Sequence, residues 1–178
     1  MLRLLMPTEF SLDTFRDALL AELETAERQI LAVAQKMPAE KFGWRPDTTA
    51  RSVSEALVHV AAGNFSLLAF LGRDAPKDIY GDIVGEGEQR LWSVVHRNDE
   101  LEKAVREKGE VIKLLERSLQ AVRESIQQSG ESLAEPTTSR VYMRMIVHLH
   151  EHMGQMIAYL RTNGLSAPWP DWRPDRRS

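Results

Sequence analysis

Two histidines spaced four residues apart are the side chains of this sequence best suited to chemistry. His148 and His152 lie in a segment whose apolar periodicity predicts a long amphipathic helix. On such a helix they stand roughly 40° apart around the axis and about 6 Å apart along it. Two neutral imidazoles in this arrangement can bind one divalent metal ion. His150 points roughly 200° away from His148 and is expected to lie outside the site unless the helix register shifts.

A pair of histidines leaves too many coordination positions open, so a third ligand is needed. His59 is the candidate, because it lies on the inward face of an earlier predicted helix, with the small residue Gly63 one turn later. Glu55, one turn before, is a candidate to orient the His59 ring, and Gln155 could do the same beside His148. Three imidazoles would leave room for a substrate, which is typical of a catalytic metal site. The competing interpretation is a metal-free bundle with hydrogen-bonded core histidines.

Helical patterns dominate the rest of the chain, and no segment predicts a strand. Ser52 and Glu55 have the spacing of a capping box, Pro38 ends the first helix, and Asn163-Gly164 is a good helix end. The four predicted long helices run over about 12–37, from 52 or 54 to 72, over 109–128, and from 137 or 138 to 163. Residues 73–95 show little periodicity and are predicted to form a long connection, followed by a short helical turn from Asn98. The fold class is therefore all-α, a four-helix bundle with a long connection between its second and third helices.

Length and composition limit the function further. The 178 residues fit one domain spanning 1–178, with a core over about 12–168 and a basic tail over 169–178. The formal charge of −3 and the lack of a basic patch argue against nucleic acid as a partner. No cysteine is present, so thiolate ligands and a cysteine nucleophile are excluded. The apolar stretch over 1–6 is too short for a membrane span or signal peptide, so a cytoplasmic location is expected.

The histidine motifs resemble a known family. Three stretches are similar to motifs of the DinB-like superfamily. They are Ser52-Val-Ser-Glu-Ala-Leu-Val-His59, the later His148-x-x-x-His152-Met-Gly-Gln, and the following Tyr159-Leu-Arg-x-x-Gly. The Phe42-Gly-Trp-Arg-Pro46 link is similar to that family's loop between its first two helices. The resemblance covers about residues 12–168. The family groups damage-inducible proteins with metal-dependent hydrolases, bacillithiol S-transferases and mycothiol-dependent maleylpyruvate isomerases.

The resemblance implies a function as well as a fold. It implies an up-down-down-up bundle, a homodimer, and a metal site formed by His59, His148 and His152. It also implies an enzyme in which the metal activates a low-molecular-weight thiol that then attacks an electrophilic substrate. Zinc or nickel is the expected metal, with iron as the alternative. Two alternatives stay open: a metal-dependent hydrolase, for which the sequence offers no strong general base, and a stress-response scaffold with a vestigial site. No residue is assigned a catalytic role beyond metal binding.

Overall fold

The computed structural model describes residues 11–169, and within that range the chain is all-α, as predicted. The apolar stretch over 1–6 and residues 170–178 of the basic tail lie outside the described residues. Two 3₁₀ turns, Ala39–Lys41 and Gly130–Ala134, separate some of the helices. The six α-helices of residues 11–169 are α1 Leu12–Lys36, α2 Val53–Phe70, α3 Lys77–Tyr80, α4 Gly87–Ala104, α5 Lys108–Gln127 and α6 Pro136–Thr162.

Local capping explains where the long helices begin. The Ser11 side chain accepts a hydrogen bond from the Thr14 backbone N–H at the start of α1. At the start of α2, Ser52 and Glu55 form the predicted capping box, each accepting from the other's backbone N–H. Pro136 begins α6, one or two residues earlier than predicted, because a proline at the first helical position loses no hydrogen bond.

Helix α2 is the centre of the packing. It contacts α4, α5 and α6, while α1 packs against α5 and α6. Most of its residues are buried, and Gly63, which has no side chain, allows the close approach of His148 from α6. This helix is long and apolar enough to cross a membrane, yet 72% of it is buried inside the protein, as is common for the core helix of a globular fold.

The predicted long connection over 73–95 is wrong in its second half. Helix α4 occupies Gly87–Ala104, and the turn predicted from Asn98 lies inside it. Only Val94 and Glu102 of α4 are buried, so the helix has no apolar stripe of the usual width. Its packing against α2 stabilises it instead, and this packing brings Glu102 beside the histidines.

Candidate metal centre

The three predicted histidines converge where α2 meets α6. His59 comes from α2, and His148 and His152 come from consecutive turns of α6. The Nε2 atom of His148 lies 3.2 Å from Nε2 of His59 and 3.1 Å from Nε2 of His152. Each residue offers one nitrogen, and these atoms all lie within 4.8 Å of one another. The three rings meet edge to face, with centroids 4.6 to 5.1 Å apart.

Gly63 makes this convergence sterically feasible. A Cβ atom at this position would lie 2.8 Å from Cε1 and 3.2 Å from Nδ1 of His148. Gly63 therefore leaves room for a histidine ring, as predicted, but the ring that occupies the space belongs to His148 and not to His59. The absence of a side chain at this turn of α2 is what allows the α6 histidine to reach its partner.

The carboxylate of Glu102 orients the His59 ring. Its Oε1 atom lies 2.7 Å from Nδ1 of His59, and its Oε2 atom accepts a 2.8 Å hydrogen bond from Nε of Arg51. Burial raises the pKa of Glu102, but the hydrogen bonds from His59 and Arg51 outweigh it and hold that pKa below its ordinary value. An ionised carboxylate only accepts, so the neutral form of His59 carries its proton on Nδ1 and its lone pair on Nε2.

A chain of directed hydrogen bonds orients His152. The Tyr159 hydroxyl donates to the backbone carbonyl of Arg51 over 2.9 Å, and the same hydroxyl oxygen accepts from Nε2 of Gln155 over 2.8 Å. The Gln155 carbonyl oxygen therefore faces Nδ1 of His152, at 2.8 Å. Because a carbonyl can only accept, Nδ1 of His152 must carry the proton and Nε2 must carry the lone pair. The predicted orienting role of Gln155 is confirmed, with His152 rather than His148 as its partner.

The prediction that Glu55 orients His59 is wrong. Its carboxylate accepts from the Ser52 backbone N–H and from Arg45, at 2.8 Å in both cases. Burial raises the pKa of Glu55, but those hydrogen bonds lower it to below the ordinary value. Glu55 therefore serves the capping box, although helical spacing places it one turn before His59. Glu102, from the unpredicted helix α4, takes the orienting role.

The residues of this centre fit a divalent metal ion. Two nitrogens each about 2.0–2.1 Å from a tetrahedral zinc ion are about 3.3 Å apart, close to the observed separations. Burial, together with the charges of His152 and His59, lowers the pKa of His148 to about 4, and burial also lowers the pKa of His152. Both rings are thus neutral near pH 7, as ligands must be. Nδ1 of His148 is buried with no hydrogen-bond partner among the described residues, and its Nε2 faces the other two histidines.

A cleft of about 560 Å³ opens beside the centre. Glu102 and Gln155, the partners of two of the histidines, form part of its wall. Its lining is predominantly charged and polar, with Arg45, Thr49, Ala50, Arg51, Glu55, Asp99 and Lys103 as the remaining members. A small polar molecule can therefore approach the residues that hold the histidines.

The other histidines of residues 11–169 lie outside the centre, as predicted for His150. His150 faces away from the centre, with Nδ1 at 2.9 Å from the Ile146 carbonyl and Nε2 at 3.2 Å from Glu22. His96 lies beside Trp92 on α4. Trp44 packs edge to face on Tyr159, at 5.3 Å between centroids, and so supports the residue that orients Gln155.

Fold and site together define an all-α protein with three histidines positioned to hold a metal ion. The sequence profile of the DinB superfamily matches residues 22–156, a range that includes all three histidines. The chain therefore belongs to the DinB superfamily. Comparisons with curated proteins and with solved structures found no significant match.

Proposed function

We propose that this protein is a metal-dependent enzyme that joins a low-molecular-weight thiol to an electrophilic substrate. His59, His148 and His152 would hold the ion. The observation that supports this most strongly is the convergence of three imidazole nitrogens, two of which are fixed as lone-pair donors by Glu102 and Gln155. Such outer partners are typical of working metal sites.

The ion supplies one element of the chemistry: when bound, it lowers the pKa of a thiol that reaches it, so that a thiolate is available near neutral pH. The protein's own residues do the rest. Glu102 keeps the His59 proton on Nδ1, and Gln155 does the same for His152. The neighbouring cleft, whose wall includes Glu102 and Gln155, would admit the reactants. The thiol proton passes to solvent, sulfur forms a bond to the electrophilic carbon, and the leaving group departs with the electron pair of the bond that breaks.

The composition supports a thiol that arrives from outside. The protein has no cysteine, so it cannot supply its own sulfur nucleophile. A hydrolase would instead need a free general base near the centre. The Glu102 carboxylate contacts His59, but its two oxygens already accept hydrogen bonds from His59 and Arg51. This occupancy favours the thiol reaction over hydrolysis.

The scaffold alternative has less support from the cleft. A vestigial site would be expected to be filled by protein, with Trp44 or the 73–95 segment as the occupant. Neither lines the cleft: Trp44 packs on Tyr159, and the described lining residues come from 45–55, α4 and α6.

Three further features belong to the proposal. We take zinc or nickel as the metal, with iron as the alternative, because neutral imidazoles suit all three. We take the helix order as up-down-down-up, on the family resemblance.

We also take the protein as a cytoplasmic homodimer without nucleic-acid or membrane partners. The exposed apolar residues Met143 and Val147, one turn apart on α6, are a surface that a second copy could cover, and light scattering after gel filtration tests it.

A thiol-conjugation assay tests the function. Zinc- and nickel-loaded protein is mixed with 1-chloro-2,4-dinitrobenzene and a panel of small thiols, and the aromatic thioether is followed by absorbance. We expect turnover that disappears in the His152→Ala variant and in chelator-treated protein. Rates equal to the uncatalysed reaction for every thiol, with a fully metal-loaded protein, would reject the transferase proposal and favour the scaffold.

A further inference from the structure

The cleft beside the histidines is lined by charged side chains of both signs. Three cations line it, Arg45, Arg51 and Lys103, together with the carboxylates of Glu55, Asp99 and Glu102. These six charges balance formally. Two of the carboxylates are already bonded, Glu55 to Arg45 and Glu102 to Arg51. Unused hydrogen-bonding capacity therefore decides what the cleft can bind.

Arg51 and Lys103 supply unused donors. Arg51 turns Nε, at 2.8 Å, and Nη2, at 3.5 Å, toward Glu102, which leaves Nη1 without a partner among the described residues. The Arg51 side chain is 41% exposed, so this free edge can reach a ligand. Lys103 follows Glu102 on α4 and forms no ion pair with any residue between 11 and 169. An ammonium and a guanidinium edge together suit a carboxylate.

We infer that this cleft binds a carboxylate group of the small molecule whose thiol reaches the histidine centre. The inference rests on the proposed function for the second half of that statement. A divalent ion held by three neutral imidazoles would add two positive charges beside a cleft whose own charges balance. One thiolate and one carboxylate neutralise this charge, whereas a thiolate attached to a neutral group leaves part of it uncompensated. Burying uncompensated charge is unfavourable, so the acidic thiol is the better ligand.

Arg51 also connects the cleft to the centre. Its guanidinium holds Glu102, which orients His59, and its backbone carbonyl holds Tyr159, which orients Gln155 and through it His152. A carboxylate bound to the free edge of Arg51 would thus contact the residue on which both orienting chains depend.

A pair of matched thiols tests the subsite. Cobalt-loaded protein is titrated with 3-mercaptopropionate and with 3-mercapto-1-propanol, and the sulfur-to-cobalt charge-transfer band reports binding, corrected for each thiol's own pKa. We expect the acid to bind about tenfold more tightly, the factor that one additional charge-assisted hydrogen bond supplies. Lys103→Met should remove most of this preference. Lys113→Met, which removes an exposed lysine on α5, is the control and should keep it. Equal affinity of the two thiols for wild type, or an undiminished preference in Lys103→Met, would overturn the subsite.

Succinate separates this inference from the proposed function. If no thiol alters the cobalt spectrum, the thiol-transfer proposal fails. The subsite is then judged by calorimetric titration of the metal-loaded protein with succinate and with 1,4-butanediol. Succinate binding that Lys103→Met weakens would retain a carboxylate site, and the absence of succinate binding would reject it.

Discussion

Replacing Glu102 by Gln should weaken metal binding at the three-histidine centre while the helical fold is kept. The wild-type carboxylate accepts two short hydrogen bonds, from His59 at 2.7 Å and from Arg51 at 2.8 Å. A glutamine has one carbonyl oxygen, so its NH₂ group must face one of these two donors. If the oxygen stays with charged Arg51, the NH₂ opposes Nδ1–H of His59. The ring must then turn away or move its proton to Nε2, and either change removes a metal-binding lone pair.

The expected cost follows from that geometry. Loss of a residue that orients a ligand lowers metal affinity by about 10- to 100-fold, which corresponds to about 1.4–2.8 kcal/mol. Zinc affinity is measured by competition with a chromophoric chelator, and thermal unfolding in chelator shows that the variant remains folded. Glu55→Gln is the matched control, because glutamine keeps the capping box and only the ion pair with Arg45 is lost. The control should bind zinc within about twofold of wild type and lose less than about 1 kcal/mol of stability.

The two variants also decide which carboxylate orients His59, Glu102 as the structure indicates or Glu55 as the sequence predicted. Weaker zinc binding in Glu55→Gln with normal binding in Glu102→Gln would show that Glu55, and not Glu102, supports the metal centre. Wild-type affinity in both variants would show that neither carboxylate contributes to metal binding through the His59 ring.

Two further predictions follow from the same centre. Gly63→Ala places a methyl group 2.8 Å from Cε1 of His148, so the ring must move. Zinc affinity should fall by at least about tenfold while the helical circular dichroism signal is kept. Unchanged zinc affinity would contradict the close contact between Gly63 and His148. In metal-free protein, the His148 pKa of about 4 lies below the ordinary 6.5, so the unfolded chain binds more protons across that window. Stability should therefore fall by up to about 3 kcal/mol as the pH drops from about 6.5 to about 4, and urea unfolding in chelator at several pH values would refute this if its midpoint stayed constant.

Hydrophobic periodicity and capping residues predicted the parts of the fold that bury wide apolar faces. Helices α1, α2, α5 and α6 lie within about two residues of their predicted bounds. Helix α4 was missed because it has only two buried residues, Val94 and Glu102, and a charged sequence between them. A helix stabilised mainly by contact with a neighbour, here α2, carries little signal in its own pattern.

The candidate ligands could be predicted for a similar reason, and their most important partner could not. His148 and His152 are four residues apart, so helical geometry alone places them together. Gln155 lies three residues beyond His152 on the same helix, within reach of local reasoning. Glu102 is 43 residues from His59 in sequence and lies in a segment rich in charge. A lone glutamate there is usually solvated, and only the packing of α4 on α2 distinguishes it.

Metal content measured by inductively coupled plasma mass spectrometry tests the three-histidine centre most directly. Untagged wild-type protein is compared with His59→Ala, which removes the α2 ligand, and with His150→Ala, which removes a histidine that faces away from the centre. We predict about one equivalent of metal in wild type and in His150→Ala, and loss of that metal in His59→Ala, as expected for a three-ligand site. Negligible metal in wild type after reconstitution with zinc or nickel, or full occupancy in His59→Ala, would show that the three histidines do not form a metal site.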